Sequence, residues 1–243
     1  ITSAAGVEVA TGFYRYGLAT NGSGATQSLG IGYDLYRVDI DENQVLTLSE
    51  NQTFDQQFTG SGGLTIASGA EVVLAHSAEG DSTYQGDTTV LSGATLTAQA
   101  DSISADSKLI VSGTYENVGN NTVDGLDIEA NGILDLASGT LTVDHADDAG
   151  NSEIDGTVEG SGALAVHDGT LTVNSTETTG YLGNILLGAA DSAASMTLSN
   201  VAGLGTGTIR FEHADSTVDL TASADTTLTN LVAGAGTLNV TLG

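Results

Sequence analysis

A short unit recurs along the 243-residue chain: a glycine-rich turn, an alternating apolar strand, another small turn and another strand. Gly60-Ser61-Gly62-Gly63-Leu64-Thr65-Ile66 returns as Gly160-Ser161-Gly162-Ala163-Leu164-Ala165-Val166 and again as Gly234-Ala235-Gly236-Thr237-Leu238-Asn239-Val240. Between these lie Ser92-Gly93-Ala94-Thr95-Leu96-Thr97, Ser138-Gly139-Thr140-Leu141-Thr142-Val143 and Asp168-Gly169-Thr170-Leu171-Thr172-Val173. A unit this small cannot bury its apolar face alone, so its copies must stack on one another. The chain is therefore read as one elongated array.

Strands of three to five residues with polar turns between them run from Val38 onward, and helical periodicity is missing. Only Gly188-Ala189-Ala190-Asp191-Ser192-Ala193-Ala194 resembles helix, and its flanks alternate as strands do. The strands are too short for a sandwich and lack two-residue hairpin loops. The expected fold is all-β, a right-handed parallel β-helix (solenoid). About ten coils of roughly 20 residues, stacked at ~4.8 Å, give a rod about 50 Å long. Thirty-three glycines and no proline suit many tight turns. Aromatics are only 5%, so Leu, Ile, Val and Ala must supply thin core layers. Two regions are expected: residues 1–37, an aromatic-rich cap or first rungs, and residues 38–243, the repeats. The cap holds Phe13, Tyr14, Tyr16, Tyr33 and Tyr36 with Arg15 and Arg37, aromatics that would cover an open core end.

The net charge of −27 repels phosphate backbones and anionic lipid surfaces, which argues against nucleic-acid and membrane-surface binding. It favours solubility, repulsion between neighbours, cation binding or basic partners. There is no cysteine, as suits a chain exported through an oxidising compartment. No apolar run approaches the ~20 residues of a membrane span, and the N-terminus does not read as a signal peptide. The chain reads as a fragment of a longer exported protein.

Residues 83–98, with Tyr84, Gly86, Thr88, Val90 and Gly93 at the spaced positions and Leu96 one residue past the final Leu, resemble the Tyr-x-Gly-x-Thr-x-Val-x-x-Gly-x-Leu repeat of passenger domains in bacterial type V autotransporters. Residues 181–211 are similar to a second copy, opened by Tyr181-Leu182-Gly183-Asn184 and closed by Leu204-Gly205-Thr206-Gly207. This copy departs from the pattern with Ile and Leu where Thr and Val are usual, and with an insertion-like Ala189–Ser195. The AIDA and Antigen 43 adhesins are nearest in character. The resemblance covers most of the chain from residue 38 and concerns a folding module. It implies a cell-surface or secreted passenger, held to the outer membrane only by a C-terminal barrel not present here. It also implies adhesion, aggregation and biofilm formation. Partners would be passengers on neighbouring cells, host matrix proteins or glycans.

No catalytic constellation stands out. His76 with Gly80-Asp81-Ser82 falls short of the serine-protease signature, because Thr83 follows the serine and a triad needs a positioned base and acid. Asp144-His145-Ala146-Asp147-Asp148 is the densest acidic run, and Asp144, Asp147 and Asp148 are candidate Ca²⁺ ligands. It lacks EF-hand and β-roll spacing, so the expectation is otherwise no cofactor. Asp39, Asp41 and Glu42 form a weaker cluster. His76, His145, His167 and His213 are scattered, with no metal-ligand spacing. Paired carboxylates raise a carbohydrate-active enzyme as one alternative, but four basic residues cannot line a cleft for an acidic sugar. A stalk that binds nothing is another alternative. Outward Thr, Ser, Asn and Asp ladders, each net bond worth ~1 kcal/mol, point instead to a weak repeated interface acting through multivalency.

Overall fold

The computed structural model describes residues 1–2, 6–21, 28–146, 150–175, 180–200, 205–222 and 227–242, with the side chains of all of these except 19–21, 28, 29, 222 and 242. It is a parallel β-solenoid of about nine turns, all strand and without helix among the described residues. Three sheets run along the rod. The longest has ten strands, from Val45–Leu48 through Gly63–Ile66, Thr88–Val90 and Lys108–Val111 to Thr237–Leu242. Two further sheets of six strands each flank it: one spans Gln52–Phe54 to Thr157–Gly160, the other Asn121–Val123 to Val232–Gly234.

Alternation dictates this arrangement. Leu141 and Val143 are buried while Thr140 and Thr142, which alternate with them, face outward, and the same pattern repeats in nearly every strand. Stacking then places like on like. In the longest sheet, Leu64 lies over Leu46 and Ile66 over Leu48, and the second column continues through Val90, Val111, Ile128, Ile154, Val173 and Leu198. Each such side chain contributes ~1.5–3 kcal/mol on burial.

The turns between successive strands vary in length. Leu126 stacks on Leu109, 17 residues on, whereas Glu153 stacks on Asp127, 26 residues on. The longer turns bring an extra ring into the core. Tyr84, His145 and Tyr181 all come from such turns and all are buried. Two of them meet a hydroxyl in the Leu46–Leu64 column, at Thr88 and Ser152, where other coils have an aliphatic residue. The Tyr84 hydroxyl shares a 2.5 Å hydrogen bond with Thr88, which is 2.8 Å from the Ser107 hydroxyl. Burial pushes the Tyr84 phenol up to about 12, so it stays protonated at neutral pH. Tyr84→Phe keeps the ring and deletes the hydroxyl; a loss of about 1 kcal/mol is expected in urea unfolding, the scale of one net hydrogen bond.

The recurring glycines are set by the corners. Gly60, Gly160 and Gly234, equivalent in the three Gly-x-Gly repeats, all have φ near +100°, and a Cβ there would overlap the preceding coil's backbone.

The N-terminal region departs from parallel rungs. Strands β1 (Ala10–Asn21) and β2 (Ser28–Ile40) pair antiparallel, and β2 then runs parallel to Gln57–Gly60 of the first coil. Alternation alone cannot tell a rung from a hairpin arm. Ala10, Val38 and Ile40 at the base of this pair are buried in the core, so aliphatic residues join the first coil. The aromatics Tyr14, Tyr16 and Tyr33 lie further out and are exposed.

Candidate functional site

The outward positions form ladders in register with the core columns. On the longest sheet Thr47, Thr65 and Thr89 are stacked neighbours, as are Asp127 and Glu153, Thr172 and Thr197, and Asp219 and Asn239. Lys108 pairs with Asp127 at 2.5 Å. The Asn174 amide donates to Glu153 at 2.7 Å and Asp155 at 3.0 Å, and the Asn239 amide donates to Asp219 at 2.7 Å. The neighbouring sheet stacks Thr97, Glu116, Asp135 and Glu159 in one line. Thr97 donates to Glu116 at 2.7 Å, and partial burial beside Glu116 raises the Asp135 carboxyl above its ordinary value. These faces offer hydroxyls, amides and carboxylates at a rung spacing of ~4.8 Å. Such a lattice suits a partner with its own repeated polar groups, each contact being weak and many acting together.

Three of the described acidic and histidine side chains converge across coils. His76, Asp81 and Asp101 are exposed, with ligand atoms all within 4.8 Å of one another. One imidazole and two carboxylates suit a transition ion better than Ca²⁺, but exposed acids gather on a surface this negative without one. The sequence offered Asp81 only as part of Gly80-Asp81-Ser82. Ser82 is buried and accepts the Phe58 backbone N–H at 3.2 Å, so its hydroxyl is not presented outward.

Of the candidate calcium ligands, Asp144 is described and Asp147 and Asp148 lie outside the described residues. Asp144 sits 3.4 Å from His167 Nδ1. Its neighbour His145 turns inward. His145 Nδ1 lies 3.0 Å from Asp168 Oδ1 and its Nε2 lies 3.1 Å from the Ser152 hydroxyl. Asp168 Oδ1 also accepts the His145 backbone N–H at 2.9 Å. The ring fits because Gly150 and Gly169 leave space where a Cβ would collide with it. Burial, and the nearby Asp144, raise the Asp168 carboxyl above its ordinary value despite the histidine's hydrogen bonds.

This Ser-His-Asp chain has the connectivity of a hydrolytic triad, yet it faces the wrong way for catalysis. The Ser152 hydroxyl accepts the Leu126 backbone N–H at 2.9 Å and stacks between Leu126 and Leu171, where no acyl group has room. It satisfies buried polar atoms across coils. No sequence motif announces it, because the three residues meet only through a register that uneven turns conceal.

Comparison with models of protein families, with curated proteins and with solved structures finds no match to this chain.

Proposed function

We propose that this chain is a surface-exposed adhesive rod of the autotransporter-passenger kind, binding through the polar ladders of its faces rather than through a pocket. The observation that supports this most is the register of Thr, Asn and carboxylate side chains over successive coils, beginning with Thr47, Thr65 and Thr89. Its partners would be the same rods on neighbouring cells, matrix proteins or glycans. Nucleic acid is disfavoured by the charge of −27.

The test is display of the chain on a non-adherent bacterial strain, with an otherwise identical strain lacking residues 38–243. Displaying cells should clump or bind a matrix and glycan array, and binding should weaken when the Thr65, Thr89, Thr172 and Thr197 hydroxyls are replaced by valine. Equal adhesion by both strains would leave a stalk. Ca²⁺ and salt are varied in the same assay, since screening weakens exposed charge contacts.

A further inference from the structure

The β1–β2 pair differs from the rod in charge and in what it exposes. Residues 10–40 contain Arg15, Arg37, Asp34 and Asp39 and are therefore neutral, while the whole chain carries −27. From Tyr16 to Tyr33 there is no charged residue. The two faces of the pair are unlike. Arg15 and Asp34 stand opposite each other on one face, which turns toward the rod: Arg15 pairs with Glu79, and Arg15, Asp34 and Tyr36 line a cavity with His76, Ser77 and Glu79. The other face carries Tyr14, Tyr16, Leu18, Ile31 and Tyr33, with Tyr16 opposite Tyr33 and Leu18 opposite Ile31.

At its base this face is held by Leu35, which lies opposite Tyr14 and packs against the core, and further out Tyr14 meets Tyr33 edge-on at 6.0 Å. Tyr16 is 74% exposed, Leu18 78%, Ile31 77% and Tyr33 74%. Isolated exposed apolar residues are ordinary; five in register on one sheet face mark an interaction site.

We infer that this face docks against the same face of a second copy of the chain, two hairpin arms packing across a two-fold axis. Charge selects the occupant. A basic partner would settle on the acidic rod rather than on this uncharged face, and an anionic one finds no cation on the face to pair with. A neutral glycan stacks on aromatic rings but leaves Leu18 and Ile31 without a use. A second arm is neutral, apolar and complementary by symmetry, so the contact itself sets no like charges against each other, while the repulsion between two chains of −27 weakens it. Side chains of this size amount to about 400–600 Å² per copy, below the ~800 Å² per partner of a standard stable interface. The dimer is accordingly weak and acts through many copies. The inference rests on the adhesive reading and supplies it with a self-association surface distinct from the ladders.

Sedimentation of the purified chain from micromolar to millimolar concentration tests it. A monomer–dimer equilibrium is expected, tightening as salt is raised because the rods repel each other less. Combined substitution Y16S, L18T, I31T and Y33T should weaken association about tenfold or more, with an unchanged circular dichroism spectrum and melt. Should that variant misfold, L18E alone, at a position 78% exposed, places like charges across the axis and should have the same effect. A monomer at every concentration, association that loosens with salt, or wild-type dimerisation by L18E would each overturn the inference. Capture of a neutral polysaccharide by a strictly monomeric chain, lost in the quadruple variant, would overturn it in favour of a glycan. Displayed cells separate it from the adhesive reading: matrix binding by a strictly monomeric chain removes the dimer alone, whereas dimers in solution without any adhesion by cells remove the reading alone.

Discussion

Gly207→Val is expected to cost more than about 4 kcal/mol, well above the usual single substitution, and to unravel the C-terminal coils first. Gly139, Gly162, Gly183 and Gly207 follow one corner of the solenoid, and an added Cβ at each would meet the backbone of the preceding glycine's coil. At Gly207 the obstruction is the Gly183 carbonyl oxygen, at Gly183 that of Gly162. Backbone cannot rotate aside as a side chain does, so the coils must separate, exposing core residues such as Ile209 and Phe211. Gly180→Ala is the control, since nothing lies within 4 Å of its added methyl, and it should change stability by no more than about 0.5 kcal/mol. Urea unfolding with hydrogen exchange measures both magnitude and locality. Because each coil touches only its neighbours, exchange in strands as distant as Gly63–Ile66 should remain slow. Uniform, small losses at both glycines would show that the corner yields more than its geometry implies.

Asp168→Ala is the second large effect, expected to destabilise by about 2–5 kcal/mol, since two buried groups lose their partner at ~1–3 kcal/mol each. It leaves the His145 backbone N–H without its acceptor and the His145 Nδ1 without its partner in a buried site. Asp168→Asn keeps an oxygen at that place and should cost far less. The pH dependence separates charge from hydrogen bonding. The Asp168 carboxyl is raised in the fold, first by burial, so the folded state holds that proton more tightly than the unfolded chain. Its contribution is therefore present in full below the ordinary carboxyl value, ~3.9, and fades as pH rises through the higher folded value. In D168N that part of the profile should flatten. Denaturation followed across the acidic range in both proteins measures the difference; coincident slopes would mean that Asp168 does not titrate differently on folding.

Much of the solenoid is legible in the chain because its constraint is local. Leu141 and Val143 need only their own alternation to be placed inward, and Gly60, Gly160 and Gly234 repeat because each corner demands the same backbone conformation. What depends on register between coils is hidden. His145, Ser152 and Asp168 share one contact, yet Ser152 belongs to a 26-residue step and Asp168 to the next. His76 and Asp101 approach one another from successive coils for the same reason. The hairpin was concealed differently: Ile31, Tyr33 and Leu35 alternate as a rung does, and nothing within β2 shows that its partner runs the other way. Asp144 was legible as an exposed acid, but not as a neighbour of His167.

Steps of 17 and of 26 residues fit the same columns, so length is absorbed outside the strands while alignment is kept within them. Such a scaffold can take on or shed surface segments by insertion and deletion without disturbing what lies beneath. A lineage carrying it can change its outer loops quickly, and a foreign peptide grafted at the long excursions would inherit the same tolerance.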